Sequence, residues 1–562
     1  MTRVILTAVA VLFFALAARA QTIVVAPDGS DDTGDGSIGA PYATLSKASH
    51  EATPGDTIYL RGGVYNSVQQ INGASGTAEA PIVVRPYAEE RPIIDGSGLA
   101  LASNEKLFDI SSWGDTIRHY SVEGIEARNS SGRGVGFRDV YGLTIRDCLV
   151  HDVDFYAIGG SGKNVEIRDN EVYNAAMTNE NGSYQGGGWP GVIQFYKRWA
   201  EQGDPGRNDP SENIVVAGNY VHNCWGEGIL VTGTVGVTIE ENALRDIWSV
   251  YIYLGKARAA VIRNNYVYVT DSTYDRPDTE LPGAGLWFGN EMGFDEKEFP
   301  VSDVLAYNNV MVGVGAGIRF WLATDNLVAE NTYSDMRFYH NTVVDPVWGA
   351  VRFDDIPDGY DQPSGCELRN NIFGAGEFSS SMPDVAGWTS SNNLWEEGAP
   401  TWASDPSEFS GDPAFVNPVL GGSAEGYALE AGSPCVDAGV VTSVATDFLG
   451  AARDGSPDVG AFEYGVSGVE RYEQPARFEL KPAYPNPFNP TTTVAFSLPR
   501  AAEIELTAFN ALGERVATLA AGFRHAGDHQ ATFDASDLPS GVYLIRLRVE
   551  GETIATKAIL AK

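Results

Sequence analysis

Nine short segments of this 562-residue chain share one shape: IRDCLV, IRDNEV, VAGNYV, IEENAL, IRNNYV, AYNNVM, FYHNTV, LRNNIF and SSNNLW. The first carries Cys148, and every other sets an asparagine at the same point: Asn170, Asn219, Asn242, Asn265, Asn309, Asn341, Asn371 and Asn393. Successive asparagines are 49, 23, 23, 44, 32, 30 and 22 residues apart. A basic step of 22–23 residues is one turn of a β-solenoid, whose coils rest on their neighbours. Stacking in register aligns the asparagines into a ladder whose amides bond the coil above and below.

A second column fixes the phase. The strands GVIQFYK, GILVTG, YIYLGK, GLWFGNE, GIRFWLA and AVRFDDI overlay on Ile193, Ile229, Ile252, Leu286, Ile318 and Val351. Two residues on come Phe195, Val231, Leu254, Phe288, Phe320 and Phe353. All twelve are apolar, and side chains two apart share a strand face, so both sets are expected inside. The residues between them are then outward: Gln194, Leu230, Tyr253, Trp287, Arg319 and Arg352. Strict alternation also places Tyr196, Trp321 and Asp354 outward on one flank, and Tyr251 with Gly228, Gly285 and Gly317 on the other.

Insertions are not spread evenly. The strand begins 9 or 10 residues after its asparagine in four coils, but 23 and 21 residues after Asn170 and Asn265. Beyond the strand the gap to the next asparagine is 13 residues twice and 20 to 26 elsewhere. Long loops therefore flank one strand column on both sides and spare the asparagine side. Such loops wall a groove, with Tyr253, Trp287, Arg319 and Arg352 along its floor and the flanking glycines keeping it open.

The two ends carry addresses. Arg3, the apolar run Val4–Leu16 and Ala18-Arg19-Ala20 read as a signal peptide over residues 1–20, too short for a membrane span. The net charge is −36, and losing Arg3 and Arg19 makes it −38. Such acidity argues against a nucleic-acid partner. No other apolar run is long enough to cross a membrane. Four cysteines (Cys148, Cys224, Cys366, Cys435) are too few for a disulfide scaffold, and both pairing and free buried thiols fit.

From Phe478 onward, short alternating strands follow a proline-rich entry and predict a small β-sandwich. The stretches YPNPFNPTTTVAFSLP, FNALGERV and SGVYLIRL, ending at Lys557 and Lys562, closely resemble the type A sorting domain of the type IX secretion system. This implies passage across the outer membrane, a secreted or cell-surface location, and the secretion machinery as a partner. The expected organisation is residues 1–20 signal peptide, 21–465 solenoid with its N-terminal cap, 466–477 linker and 478–562 sorting domain.

Residues 22–66 contain VAPDGSDDTGDGS, PYATLSKA and PGDTIYLRGGVY, with a short helix expected near Ala43–Ala52 and a strand at Thr57–Leu60. With GDPAFVNP, SPCVDAG and PDVGAFEY between Gly411 and Tyr464, they resemble secreted right-handed parallel β-helix proteins, a group that includes family 9 pectate lyases. The resemblance implies an all-β chain with a right-handed parallel β-helix, acting as a monomer on a polysaccharide. In those lyases clustered aspartates hold calcium and a lysine is the base. Asp152 and Asp154 are the nearest approach to that cluster and lack its tight grouping. Calcium is thus the one cofactor the resemblance implies, and no metal site is read from the residues. The run Asp28, Asp31, Asp32, Asp35 lacks EF-hand spacing and reads as Asx turns.

β-Elimination needs a cation against the uronate carboxylate, a base for the neighbouring C–H, and an acid for the leaving oxygen. Arg319 and Arg352 fit the first role. Lys256, with Lys197 at the matching place two coils earlier, fits the second, and Tyr253 the third. Hydrolysis needs two carboxylates instead, drawn from Glu227, Asp246, Glu291, Asp354 and Asp355. Tyr196, Lys197, Tyr251, Trp287, Glu291 and Trp321 are the expected substrate contacts. The non-enzymatic alternative is a glycan-binding or adhesive solenoid. His151 and His222 read as turn or ladder residues.

Overall fold

The computed structural model describes residues 21–88, 90–112, 115–182, 189–198, 208–276, 281–290, 299–322, 332–353, 362–375, 387–465, 478–498, 502–524, 527–536, 538–549 and 552–562. The expected signal peptide and the 466–477 linker lie outside them.

Parallel strands stack into one sheet of 19 strands and a second of 12. One coil shows how. The strand Val250–Arg263 bends at the left-handed residues Lys256 (φ 51°) and Ala259 (φ 55°). Asn264 (φ 54°) then turns the chain, Asn265 enters the interior, and Tyr266–Tyr268 joins the second sheet. Every ladder position has such a left-handed residue before it: Asp147, Asp169, Gly218, Glu241, Asn264, Asn308, His340, Asn370 and Asn392, with φ of 53–65°. Glycine, asparagine and aspartate reach this region most easily. The recurrent Asn-Asn pairs thus divide two tasks, the first residue turning the chain and the second bonding the coils.

The ladder itself is complete. From Asn170 to Asn393 each Nδ2 donates to Oδ1 of the next asparagine at 2.8–3.0 Å. The same oxygen accepts that residue's backbone N–H. Cys148 N–H donates to Asn170 Oδ1 at the first rung. At the last, Asn393 donates its backbone N–H and its Nδ2 to the Glu408 carboxylate, which also accepts from Ser390 and Trp395.

All twelve residues expected inside are at most 2% exposed and share one core. The phase differs at one step. Tyr251 points inward beside Ile252, 1% exposed, with its hydroxyl on Tyr268 O at 3.3 Å. The sheet turns a corner here, and two successive residues face the interior. This corrects the expected roles of the neighbouring glycines as well. A Cβ on Gly228, Gly285 or Gly317 would meet the core side chains Leu244, Met311 or Val343 at 2.6–2.8 Å. They are glycines because the corner is packed from inside, and they do nothing to keep a groove open.

The N-terminal cap forms with its helix at Leu45–Glu51, capped by Thr44, and its strand at Thr57–Leu60. Asp31 accepts the N–H groups of Ala43 and Thr44, and Asp35 that of Ser37, so these aspartates tie turns. At the other end a strap around residues 409–464 covers the later strands of the smaller sheet. Tyr427 and Phe462 pack there on Tyr266, Val310 and Val312. His340 lies beneath it, its ring nitrogens at Asp458 O (3.0 Å) and Thr442 Oγ1 (3.2 Å). His151 and His222 are ladder residues, stacked on either side of Tyr173 along the second sheet. All four cysteines are buried free thiols. Beyond residue 478 a three-stranded and a four-stranded antiparallel sheet enclose Val494, Phe496, Leu506, Ile545 and Leu547.

Candidate functional site

The outward stripe exists in the expected register. Gln194 pairs with Leu230, and Leu230, Tyr253, Trp287, Arg319 and Arg352 follow on successive coils. Because two residues turn inward at the corner, the neighbouring outward column lies three positions upstream. It runs through Glu227, Val250, Ala284 and Ala316. Small residues there leave room above the floor, and the side chains of Glu227 and Tyr253 bound it. Leu230, Val250, Tyr253, Ala284, Trp287 and Ala316 form an apolar cluster separate from the solenoid core.

The two columns floor a cleft of about 320 Å³. Trp287 is only 9% exposed and Tyr253 4%, so walls rather than the core cover them. Those walls supply Trp189, Ser249, Arg276, Leu281, Pro282 and Trp348. The Arg319 guanidinium lies 3.8 Å from the centre of the Trp287 ring and 4.9 Å from that of Trp348. Arg352 stacks on the other indole partner, Trp348, and Arg276 covers Trp189 at 5.0 Å. Trp189 in turn stacks on the buried Trp248 at 5.0 Å. Cations held face-on to indoles keep their edges, where the N–H donors are, directed sideways. An acidic chain has thus gathered three arginines at one aromatic cleft.

Tyr253 owes its position to two glycines. A Cβ on Gly289 would stand 2.0 Å from the Tyr253 hydroxyl, and one on Gly255 2.9 Å from its ring. The phenol therefore lies across these two positions. Trp321 borders the cleft beyond, edge-on to Trp287 with centroids 6.2 Å apart.

Other expected site residues lie elsewhere. Lys256 occupies the left-handed bend of its strand at φ 51°, in the column that passes through Gly233 to Lys197, and neither lysine is among the side chains lining the cleft. Tyr196 sits over the preceding coils with Arg133, Arg138 and Asp139 around it, and burial pushes its pKa up. Tyr251 is in the core and is no substrate contact. Asp246, 2% exposed, accepts the N–H groups of Thr270 and Asp271 and is a turn anchor rather than a cleft carboxylate. Glu291, Asp354 and Asp355 lie outside the described residues. Glu227, 8% exposed, is the one carboxylate among the described lining residues. No cluster of three or more His, Cys, Asp or Glu suited to a metal ion occurs among the described residues. The calcium that the lyase resemblance implies therefore finds no ligand set there.

Trp189, Arg276, Leu281 and Pro282 were missed because they sit in insertions that no repeat aligns, and Ser249 and Trp348 because they precede the strand column that the alignment covers. One signal was present: Trp189 and Trp348 each stand one or two residues before the glycine that opens a floor strand, Gly191 or Gly349.

Comparison with known proteins places the chain. Residues 23–188 match the family model described as Pel9A-like, right handed beta helix region. Residues 482–561 match that of the secretion system C-terminal sorting domain, which makes this a secreted or cell-surface protein. Pectate lyase PEL9 of Emericella nidulans is 50% identical over 84 residues, 15% of this chain and 20% of that protein. The uncharacterized protein YwoF of Bacillus subtilis is 26% identical over 239 residues, 40% of this chain and 46% of its own length. The chain thus matches less than half the length of either relative. Among solved structures, XylC in complex with xylose aligns with a TM-score of 0.53 at 12% identity, covering 79% of this chain and 98% of that one. That likeness is one of fold. No helix among the described residues is long and apolar enough to cross a membrane.

Proposed function

We propose that the cleft binds a uronate-bearing polysaccharide and cleaves it by β-elimination. The observation that carries this reading is the Trp287–Arg319–Trp348 sandwich, where floor and wall meet. A guanidinium there pairs with a uronate carboxylate through its edge, and withdrawing that charge acidifies C5–H. The indole face of Trp321, at the border of the cleft, suits the apolar face of a pyranose ring. Tyr253 is the phenol in reach of such a substrate. As phenolate it takes the C5 proton, the C4–O bond breaks as the C4–C5 double bond forms, and the phenol returns the proton to the leaving oxygen. Similarity to a pectate lyase over part of the chain supports the same class of reaction.

Hydrolysis is less well served, because it needs two carboxylates and Glu227 stands alone among the described lining residues. The test is incubation with acidic and neutral polysaccharides, following both the ultraviolet absorbance of unsaturated uronate and new reducing ends. Elimination predicts both signals together. Tyr253→Phe is expected to lower turnover about 10²–10⁴-fold, the usual worth of a proton-transfer group. Lys256→Ala is the competing variant, and whichever of the two abolishes the absorbance identifies the base. Reducing ends without absorbance would overturn elimination in favour of hydrolysis. Binding with neither signal would make the solenoid an adhesin.

A further inference from the structure

The cleft does not run the length of the solenoid. Its floor stripe continues in register toward the N-terminus through Gln194, Gly159, Gly136 and Asp109. On those coils the protein fills the trough with its own side chains. Leu230 lies over Gly191, where a Cβ would meet its Cβ at 2.5 Å. Gln194 folds back, its Oε1 accepting Gly191 N–H at 3.0 Å. Tyr156, 2% exposed, covers Gly159 and reaches Gly136 with its hydroxyl. Lys106 lies over Gly136 as well, its ammonium held by Asp109 at 2.7 Å.

Trp189 stands at the boundary. It directly precedes Pro190, whose carbonyl accepts Glu227 N–H at 3.0 Å, and it is pinned between Trp248 and Arg276. At the other end Gly349–Phe353 is the last floor strand among the described residues. The open stretch runs over five coils from Glu227 to Arg352. At ~4.8 Å per coil that is ~19 Å, about four sugar units.

We propose that the cleft is blind at its N-terminal end and takes the terminus of a glycan chain rather than its middle, with Trp189 as the stop. This rests on the preceding reading of the cleft as a polysaccharide site, but not on the reaction. A chain lying along the floor ends against Trp189, and about four units of it are held. Successive cuts then release one short product of fixed size.

Two measurements test this. In the first, quenching of tryptophan fluorescence is titrated with uronate oligomers of increasing length and with the parent polymer. Affinity per mole of chains is expected to rise to about four units, the open floor length, and then stay level. Affinity that goes on rising in proportion to chain length would overturn the proposal, because only internal binding offers more registers on a longer chain. In the second, products from the polymer are sized from the earliest time points. One dominant short product is expected, with viscosity falling slowly. An early ladder of many lengths with collapsing viscosity would overturn the proposal. Trp189→Ala removes the stop while Leu230 and Gln194 still fill the coil beyond, so the chain end should shift by up to one ~4.8 Å spacing and spread the product over two neighbouring sizes. An unchanged product size would remove Trp189 as the stop. Absence of elimination would sink the reaction and leave the binding arm to decide chain-end capture alone.

Discussion

Asn265→Ala tests what holds the solenoid together. Asn265 is fully buried in mid-ladder. Its Nδ2 donates to Asn309 Oδ1 at 2.9 Å and to Ile239 O at 3.0 Å. Its Oδ1 accepts Asn242 N–H at 3.1 Å and Asn242 Nδ2 at 2.9 Å. Alanine leaves Asn242 N–H and Ile239 O without these partners in a dry interior. At about 1–3 kcal/mol for each orphaned group, the loss is about 2–6 kcal/mol. Asn265→Asp keeps the shape and the acceptor but sets a carboxylate oxygen against Asn309 Oδ1 and Ile239 O, so it should cost at least as much at neutral pH. Denaturant unfolding followed by far-ultraviolet circular dichroism measures both. In a solenoid, coupling runs between neighbours, so a mid-ladder lesion should also broaden the transition. A loss below about 0.5 kcal/mol would refute the reasoning, since it lies under the net worth of even one ordinary hydrogen bond.

Further outcomes follow from the cleft and the strap. Gly289→Val should displace the Tyr253 phenol and lower turnover at least tenfold, with little change in melting temperature because the position lies outside the main core; full activity would show that Tyr253 does not need its present place. Arg319→Lys keeps the charge but loses the planar stack between Trp287 and Trp348, and should raise KM for acidic polysaccharides several-fold; an unchanged KM would remove the guanidinium from substrate binding. His340 is buried, and desolvation holds its pKa well below the ordinary 6.5. The unfolded chain therefore takes up the proton first. The stability that goes with the neutral ring is present above about pH 6.5 and is lost as pH falls, by up to ~1.4 kcal/mol per unit. The groups facing the ring are the Asp458 carbonyl, Thr442, Asn370 and, at longer range, Arg453. Unfolding curves at several pH values check this, and His340→Gln should flatten the dependence between pH 6.5 and 5.

The architecture was legible because two of its constraints are periodic. An amide that bonds its own image one coil away must recur at fixed register, and so must the apolar pair Ile252 and Leu254. The floor residues Tyr253, Trp287 and Arg319 followed from that phase alone. The corner was not legible. Alternation assumes a straight strand, and nothing in YIYLGK announces that Tyr251 and Ile252 both face inward. Gly285 and Gly317 carried the clue, but a glycine that makes room for Met311 or Val343 reads the same as one that opens a groove. Lys256 was placed by counting along a strand that in fact bends at that residue. Trp189 and Arg276 escaped because insertions have no repeat to be aligned with, and Trp348 because it lies in the turn just before its floor strand. A wall residue is set by tertiary packing, and its sequence neighbours say little about where it points.

The Asn170–Asn393 ladder has a sense of direction. Every side-chain amide hands one hydrogen to the next amide oxygen toward the C-terminus, so the side-chain dipoles add, as peptide dipoles do along a helix. Such a row ends in a partial positive charge, and an uncapped end would welcome the amide of another chain and go on growing. Here the last hydrogens meet the Glu408 carboxylate. A full negative charge answers the summed dipole and offers no further donor to an incoming coil. One glutamate thus acts as a terminator, settling where the fibre-like interior of this protein stops.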